Sequence, residues 1–257
     1  MGELAVPAIQ VRDIHLAYSG VPVLKGLTLE IPRGGITALL GTNGAGKSTL
    51  FNVATGFARS YSGEVFIGDQ VATGWSPQRV FRAGVARVFQ DVRLYRSLTV
   101  RENLVVALRH AGRHASTKSS RDTIDAALER VVMSDYAEQR ASDLSFGQQK
   151  RVALARAIVT QPSVLLLDEP SAGLDPAAVA RFSDMIRAAR DDGMTVWIIE
   201  HNRDVVSDLA DRVAFLADHK IIAEGPTADI VGDEYLARLY LGDRIEETVT
   251  GGTTSGT

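Results

Sequence analysis

The 257-residue chain contains no cysteine. That excludes disulfides, thiolate nucleophiles and cysteine-ligated zinc, and it suits the cytosol. Positive charge is not in excess: the net charge of −3 gives no electrostatic reason to expect a nucleic-acid polyanion as partner. The one basic, polar stretch, residues 109–121, lacks the interleaved aromatics on which bases stack, so it is expected to be an exposed loop. Long hydrophobic runs are also missing. Stretches such as "VLLL" (164–167) and "VWII" (196–199) are far too short to cross a bilayer. The opening "MGELAVPAIQVRD" has an early acid and no basic segment ahead of an apolar one, so no signal peptide is expected. What is present is ordinary for a globular protein, 45% apolar and 23% charged, with room for one large domain or a core with a subdomain.

Residues 8–31 alternate like a strand pair around a turn at Ser19-Gly20, and Leu27, Leu29 and Ile31 share one apolar face. "ITALL" (36–40) reads as a strand buried on both faces, and "GEVFI" (63–67) as another strand. A helical block follows. "SLTVRENLVVALRH" begins at a cap, Ser97 or Thr99, "TIDAALERVVMSDY" (123–136) is amphipathic, and a third helix runs after Gly147 to Thr160, before Pro162. Strand and helix then alternate through "VLLLD", a helix from about Pro176 to Asp191, "TVWIIE", a helix after His201, "VAFLAD" and "KIIAEG". The small, polar ending is expected to be disordered.

Two stretches carry chemistry. "GTNGAGKST" (41–49) sits between a buried strand and a helix-compatible segment and fits G-x-x-x-x-G-K-[ST]. Its glycines let backbone N–H groups wrap phosphates, Lys47 adds a point charge, and Ser48 offers a hydroxyl to Mg²⁺. "VLLLDEP" (164–170) places Asp168 and Glu169 at a strand end, where one acid can hold a metal's hydration shell and the other can polarise an attacking water. "LSFGQQK" (144–150) poses a question. Ser145 is a good N-cap, yet Gly147 sits in the first turn of the helix, where alanine is favoured by about 1 kcal/mol in a helix interior.

Together, the phosphate loop, "LSFGQ" and "VLLLDEP" resemble the ATPase subunit of an ABC transporter over about residues 8–241. The resemblance implies an α/β P-loop NTPase (RecA-like) core with an antiparallel β-subdomain and a helical subdomain at about 91–159. Residues 242–257 then form a partly disordered extension. It implies ATP and Mg²⁺ as ligands. Nucleotide would be bound by Tyr18 against adenine and by Gly41, Asn43, Gly44, Ala45, Gly46, Lys47, Ser48 and Thr49. Gln90 falls at the Q-loop position, Glu169 at the general base and His201 at the switch histidine, with Ser48, Gln90 and Asp168 toward the metal. Ser145, Phe146, Gly147 and Gln148 form the signature, and Ser171, Ala172, Gly173, Leu174 and Asp175 the D-loop.

In this family the signature of one subunit closes over nucleotide held by another, which gives Gly147 a reason to lack a side chain. Thr42 stands where the family usually has proline, and Phe146 replaces the first glycine of L-S-G-G-Q. "ARVFQDVRLYRSLTVRENLVVAL" and "LLLDEPSAGLDP" are similar to the branched-chain amino-acid uptake branch. That implies permease subunits in the membrane, a homodimer or heterodimer of ATPases at its cytoplasmic face, and an extracytoplasmic solute-binding protein acting indirectly. Nucleic acid is not an expected partner. Urea, other small solutes or lipid are alternative cargoes, and a soluble ATPase of ribosomes or DNA is the alternative class. His110 and His114, four apart, lack a carboxylate to complete a metal set. Asp204, Asp208 and Asp211 are expected on one exposed helix face.

Overall fold

The computed structural model of the chain describes residues 6–112, 118–236 and 238–239. It begins with a hairpin, β1 (Ile9–Tyr18) and β2 (Val21–Ile31), followed by β3 (Ile36–Gly41) and helix α1 (Lys47–Ala54). Strands β4 (Ser62–Ile67) and β5 (Gln70–Val71) lead through α2 (Pro77–Arg82) to β6 (Val85–Val88). Three helices come next: α3 (Val100–His110), α4 (Lys118–Arg130) and α5 (Phe146–Ile158). Alternation resumes with β7 (Val164–Asp168), α6 (Pro176–Asp191), β8 (Thr195–Ile199), α7 (Arg203–Leu209), β9 (Arg212–Ala217), β10 (Lys220–Pro226) and α8 (Thr227–Val231).

Two sheets result. An antiparallel one has the order β2-β1-β4-β5, and a larger one the order β10-β9-β3-β8-β7-β6. In the larger sheet β9, β3, β8, β7 and β6 run parallel, and β10 closes one edge antiparallel. The apolar runs are explained by burial on both faces. Leu165, Leu167, Val196 and Ile198 pack into a core shared with the helical block, while Leu166, Trp197 and Ile199 pack into a second core shared with β1, β2 and α1. Each such side chain contributes about 1.5–3 kcal/mol by leaving water. Trp197 meets Phe51 of α1 edge-on at 4.7 Å, which seats the helix after the phosphate loop against the sheet.

Local signals resolve as the sequence predicts in places and differently in others. Thr99, not Ser97, caps α3, in a reciprocal pair with Glu102. The helix expected at 123–136 instead spans Lys118–Arg130, so the second part of the expected basic loop is helical. It stops because Val132 takes a left-handed φ of +53°, and a short 3-10 turn covers Ser134–Tyr136. Asp211 is not on the helix with Asp204 and Asp208. It lies past the end of α7, and its carboxylate accepts the Ile36 amide at 2.7 Å at the start of β3. His114 and residues 242–257 lie outside the described residues. Among the described residues there is no group of three or more potential metal ligands.

Candidate functional site

Four neighbouring parallel strands, β3, β8, β7 and β6, end at one edge of the larger sheet. The chain leaves them at the phosphate loop, at His201, at Asp168-Glu169 and toward Gln90. Ligands in open α/β sheets bind at this edge, beyond the carboxyl ends of the strands. The topology thus collects residues more than a hundred positions apart in sequence.

At the phosphate loop, two glycines are dictated by close approach. A Cβ on Gly41 would lie 2.0 Å from the Leu216 carbonyl oxygen, and one on Gly46 would lie 2.7 Å from that of Val23. Gly46 also begins α1 with φ +109° and no side-chain cap, so the first amides of the helix are left to face the loop. Lys47 arches back: its Nζ donates to the Gly41 and Thr42 carbonyls at 2.7 and 2.8 Å. Asn43, Gly44 and Ser48 are exposed around the loop, Ala45 is buried, and Thr49 is half-buried. Tyr18 is 52% exposed at the tip of the hairpin whose Val23 and Leu24 press on Gly46.

Glu169 is the centre of the second cluster. Gln90 Nε2 donates to its Oε2 at 2.7 Å, and His201 Nε2 lies 2.9 Å from its Oε1. Ser171 and Ala172 line the same hollow of about 350 Å³ with Glu169, Glu200 and His201. The carboxylate, just past the end of β7, therefore carries partners from the segments that follow β6 and β8.

Sequence reading missed two residues here. Arg87 on β6 bonds the neighbouring acid: its Nη2 donates to Asp168 Oδ2 at 2.7 Å, with both side chains almost fully buried. Its Nη1 donates to Asn52 of α1 at 2.7 Å, and its guanidinium lies 4.5 Å from the centre of the Phe89 ring. Burial lowers the Arg87 pKa, against the opposing hydrogen bond and charge of Asp168. Asp168 Oδ1 is buried and has no hydrogen-bond partner among the described residues. Glu200, 2% exposed, accepts the Ser171 amide at 2.8 Å and the His201 amide at 3.1 Å. It ties the start of the D-loop to the histidine segment.

The signature lies elsewhere. Ser145 caps α5 by accepting the Gln148 amide, and Gln148 Oε1 accepts the Ser145 amide at 2.9 Å. Ser145 to Gln148 line a separate hollow of about 360 Å³ with Gly173, Leu174 and Asp175, and its lining shares no residue with the hollow at Glu169. Phe146 is 48% exposed and packs on Gly173, where a Cβ would come within 2.9 Å of its ring. Asp175 caps α6 through the Ala178 amide. Gly147 has neither a left-handed φ nor a crowded flank. A Cβ there would meet only Leu174, at 3.6 Å.

The sequence matches the ABC transporter family over residues 24–172. It is 33% identical to the high-affinity branched-chain amino acid transport ATP-binding protein LivG of Escherichia coli K12, across 93% of this chain and all of LivG. Among solved structures, it is similar to the ADP conformation of MJ1267, an ATP-binding cassette of an ABC transporter. The TM-score is 0.85 at 27% identity, covering 93% of this chain and all of that one. It is also similar to the dimeric post-hydrolysis state of the cassette MJ0796 bound to ADP and Pi, with TM-score 0.78 at 25% identity, covering 85% and 98% of the two chains. A match spanning more than half the sequence, on the fold of solved cassettes, makes this chain a member of the ABC transporter family, an ATP-binding subunit that hydrolyses ATP.

Proposed function

We propose that this chain energises the import of branched-chain amino acids, as one half of an ATP-sandwiched dimer at the cytoplasmic face of the membrane. The observation that carries the cargo is the likeness to LivG across 93% of this chain and all of LivG. No helix among the described residues is long and apolar enough to cross a membrane, so separate permease subunits supply the path. Residues 8–241 are taken as the nucleotide-binding domain, with the helical subdomain at about 91–159. The dimeric MJ0796 structure supports pairing in pairs, either of two copies or of this chain with a second ATPase.

Each role follows from an environment. Gly41 to Thr49 cradle the triphosphate through loop amides, and the Lys47 ammonium, held against the Gly41 and Thr42 carbonyls, turns to the phosphate oxygens when nucleotide binds. Tyr18 offers its exposed ring to adenine. Glu169 accepts a proton from the water whose oxygen bonds to the γ-phosphorus, while the bond from that phosphorus to the β–γ bridging oxygen breaks, leaving ADP and inorganic phosphate. His201 holds Glu169 in line, and Gln90 ties it to the segment leading into the helical block. The donor set fits Mg²⁺: Asp168 presents a buried oxygen with no partner, and Ser48 presents an exposed hydroxyl. Asp168, Ser48 and Gln90 would hold the ion, which when bound neutralises charge on the phosphates. The signature serves the partner's nucleotide. The Ser145 oxygen accepts the Gln148 amide, and its own hydrogen remains to donate to a phosphate oxygen.

Isolation of the tagged protein from detergent-solubilised membranes tests this reading. Recovery with two permeases, and ATPase activity raised by branched-chain amino acids once the binding protein is added, supports it. Recovery from the soluble fraction alone, with ribosomes or nucleic acid, overturns the transport role.

A further inference from the structure

A buried ammonium joins the signature helix to the backbone of Glu169. Lys150 lies on α5, five residues beyond the Ser145 cap, and is 5% exposed. Its Nζ donates to two main-chain oxygens, those of Glu169 at 3.1 Å and Pro170 at 3.0 Å. The Phe146 ring, from the signature itself, is centred 5.4 Å from the same nitrogen. Burial lowers the Lys150 pKa, and the negative charges of Glu200 and Glu169 oppose that shift. An apolar side chain of this length would fill the space without desolvating a charge. What the cation adds is directional: a fixed pull on two adjacent carbonyls.

Those carbonyls belong to a segment that needs holding. Glu169 has φ +48°, a left-handed conformation that non-glycine residues adopt only where surroundings impose it. Its amide donates to Ile199 of β8 at 2.9 Å, and the Ser171 amide donates to Glu200 at 2.8 Å. The run from Glu169 to Ser171 is thus pinned by β8, by Glu200 and by Lys150. Of these three, only Lys150 comes from the helix that carries the signature.

We infer that Lys150 is a positioning residue that makes the placement of the Glu169 carboxylate depend on the seat of the signature helix in the same chain. The inference rests on the roles proposed above for Glu169 and the signature. In the sandwiched dimer the signature of one protomer faces nucleotide held by its partner, while Glu169 of that protomer serves its own nucleotide. Lys150 then relays the state of one nucleotide site to the other. A signature helix drawn against the partner's nucleotide carries the Glu169 and Pro170 carbonyls with it, and an unengaged one leaves the base out of line.

The test uses the full chain with Lys150→Met, Lys150→Gln and Lys150→Arg, each alone and combined with Glu169→Gln. Steady-state ATPase is measured against ATP concentration. Dimer formation on adding ATP is followed by light scattering in the Glu169→Gln background, and thermal unfolding confirms that each variant is folded. The expected result for Lys150→Met is a fall of about tenfold or more in kcat with KM for ATP within about twofold, together with loss of cooperativity in ATP. Lys150→Arg, which keeps a charged donor, recovers most of kcat. Lys150→Met in the Glu169→Gln background still dimerises with ATP, because the signature is intact. Wild-type kcat and cooperativity in folded Lys150→Met overturn the inference, as does a folded Lys150→Arg no better than Lys150→Met. If Lys150→Met proves unfolded, Lys150→Gln, which keeps a neutral donor, decides on the same two readouts. Failure of the proposed sandwiched dimer is distinguishable: Glu169→Gln with Lys150 unchanged would then show no ATP-driven dimer, and the split between kcat and KM alone would judge Lys150.

Discussion

Gln90 donates to the Glu169 carboxylate across 2.7 Å, joining the segment after β6 to the end of β7. His201, just beyond the end of β8, approaches the other oxygen, so each oxygen of the carboxylate has one partner from the segment that follows an adjacent strand. A side chain fixed in this way is suited to take a proton from a water held in one place. Glu169→Gln keeps the shape but removes the basic oxygen. It is expected to bind ATP normally and to lose turnover by roughly 10²–10⁴-fold. Phosphate release measured beside binding of a fluorescent ATP analogue checks this, and near-wild-type release would remove Glu169 from the role of base.

Arg87 and Asp168 form a nearly buried ion pair, and Asp168 is the residue before Glu169. Removing one partner of such a pair leaves an uncompensated charge, at a cost of about 3–5 kcal/mol. Arg87→Met is therefore expected to lower the thermal midpoint sharply. The double variant Arg87→Met/Asp168→Asn should recover part of the loss, because no buried carboxylate then lacks its counter-charge. Unfolding of the two single variants and the double one by denaturant closes the cycle. Additive losses would mean that the pair contributes nothing beyond its separate members.

Lys150 predicts a pH dependence. Burial holds its pKa below the ordinary 10.5 in the folded state, so the unfolded chain binds more protons in the window between the two values. Stability must then rise with pH through that window. Lys150→Met has no such contribution. The thermal midpoint of wild type relative to Lys150→Met should climb as the pH rises toward the ordinary lysine value of 10.5. A difference that stays flat or falls contradicts the buried charge.

Gly41 to Thr49 and Asp168-Glu169 were legible because each is one continuous stretch at a strand end, whereas Gln90 and His201, single residues, were singled out only through the family resemblance. The partners of the two acids were not legible. Arg87 meets Asp168 across 81 positions and Lys150 meets Glu169 across 19, and neither pairing leaves a local pattern. Strand β6 escaped notice for a related reason: "VARV" is four residues long, and its polar member faces an interior anion rather than solvent. Helix α2 did carry a signal, Ser76 as cap before Pro77 at the first turn, that chain reading could have used. Asp211 looked helical by spacing alone, but α7 ends at Leu209 and the carboxylate serves β3 instead.

Gly147 turns the question of its own presence into a measurement. Its φ is not left-handed, and an added Cβ would make only an ordinary contact with Leu174 at 3.6 Å. Nothing inside the chain requires glycine there, so local physics favours alanine in the first turn of α5, by up to about 1 kcal/mol. If the requirement comes from outside, through a phosphate that must approach the helix amides, stability and function should move in opposite directions. Gly147→Ala is expected to unfold at the same or a slightly higher temperature while ATP-driven dimerisation in the Glu169→Gln background weakens by about tenfold or more. Gly147→Val should abolish the dimer, since a branched side chain fills more of the approach. Dimerisation unchanged in both variants would show that the glycine marks only a turn and that the signature does not face nucleotide at this position.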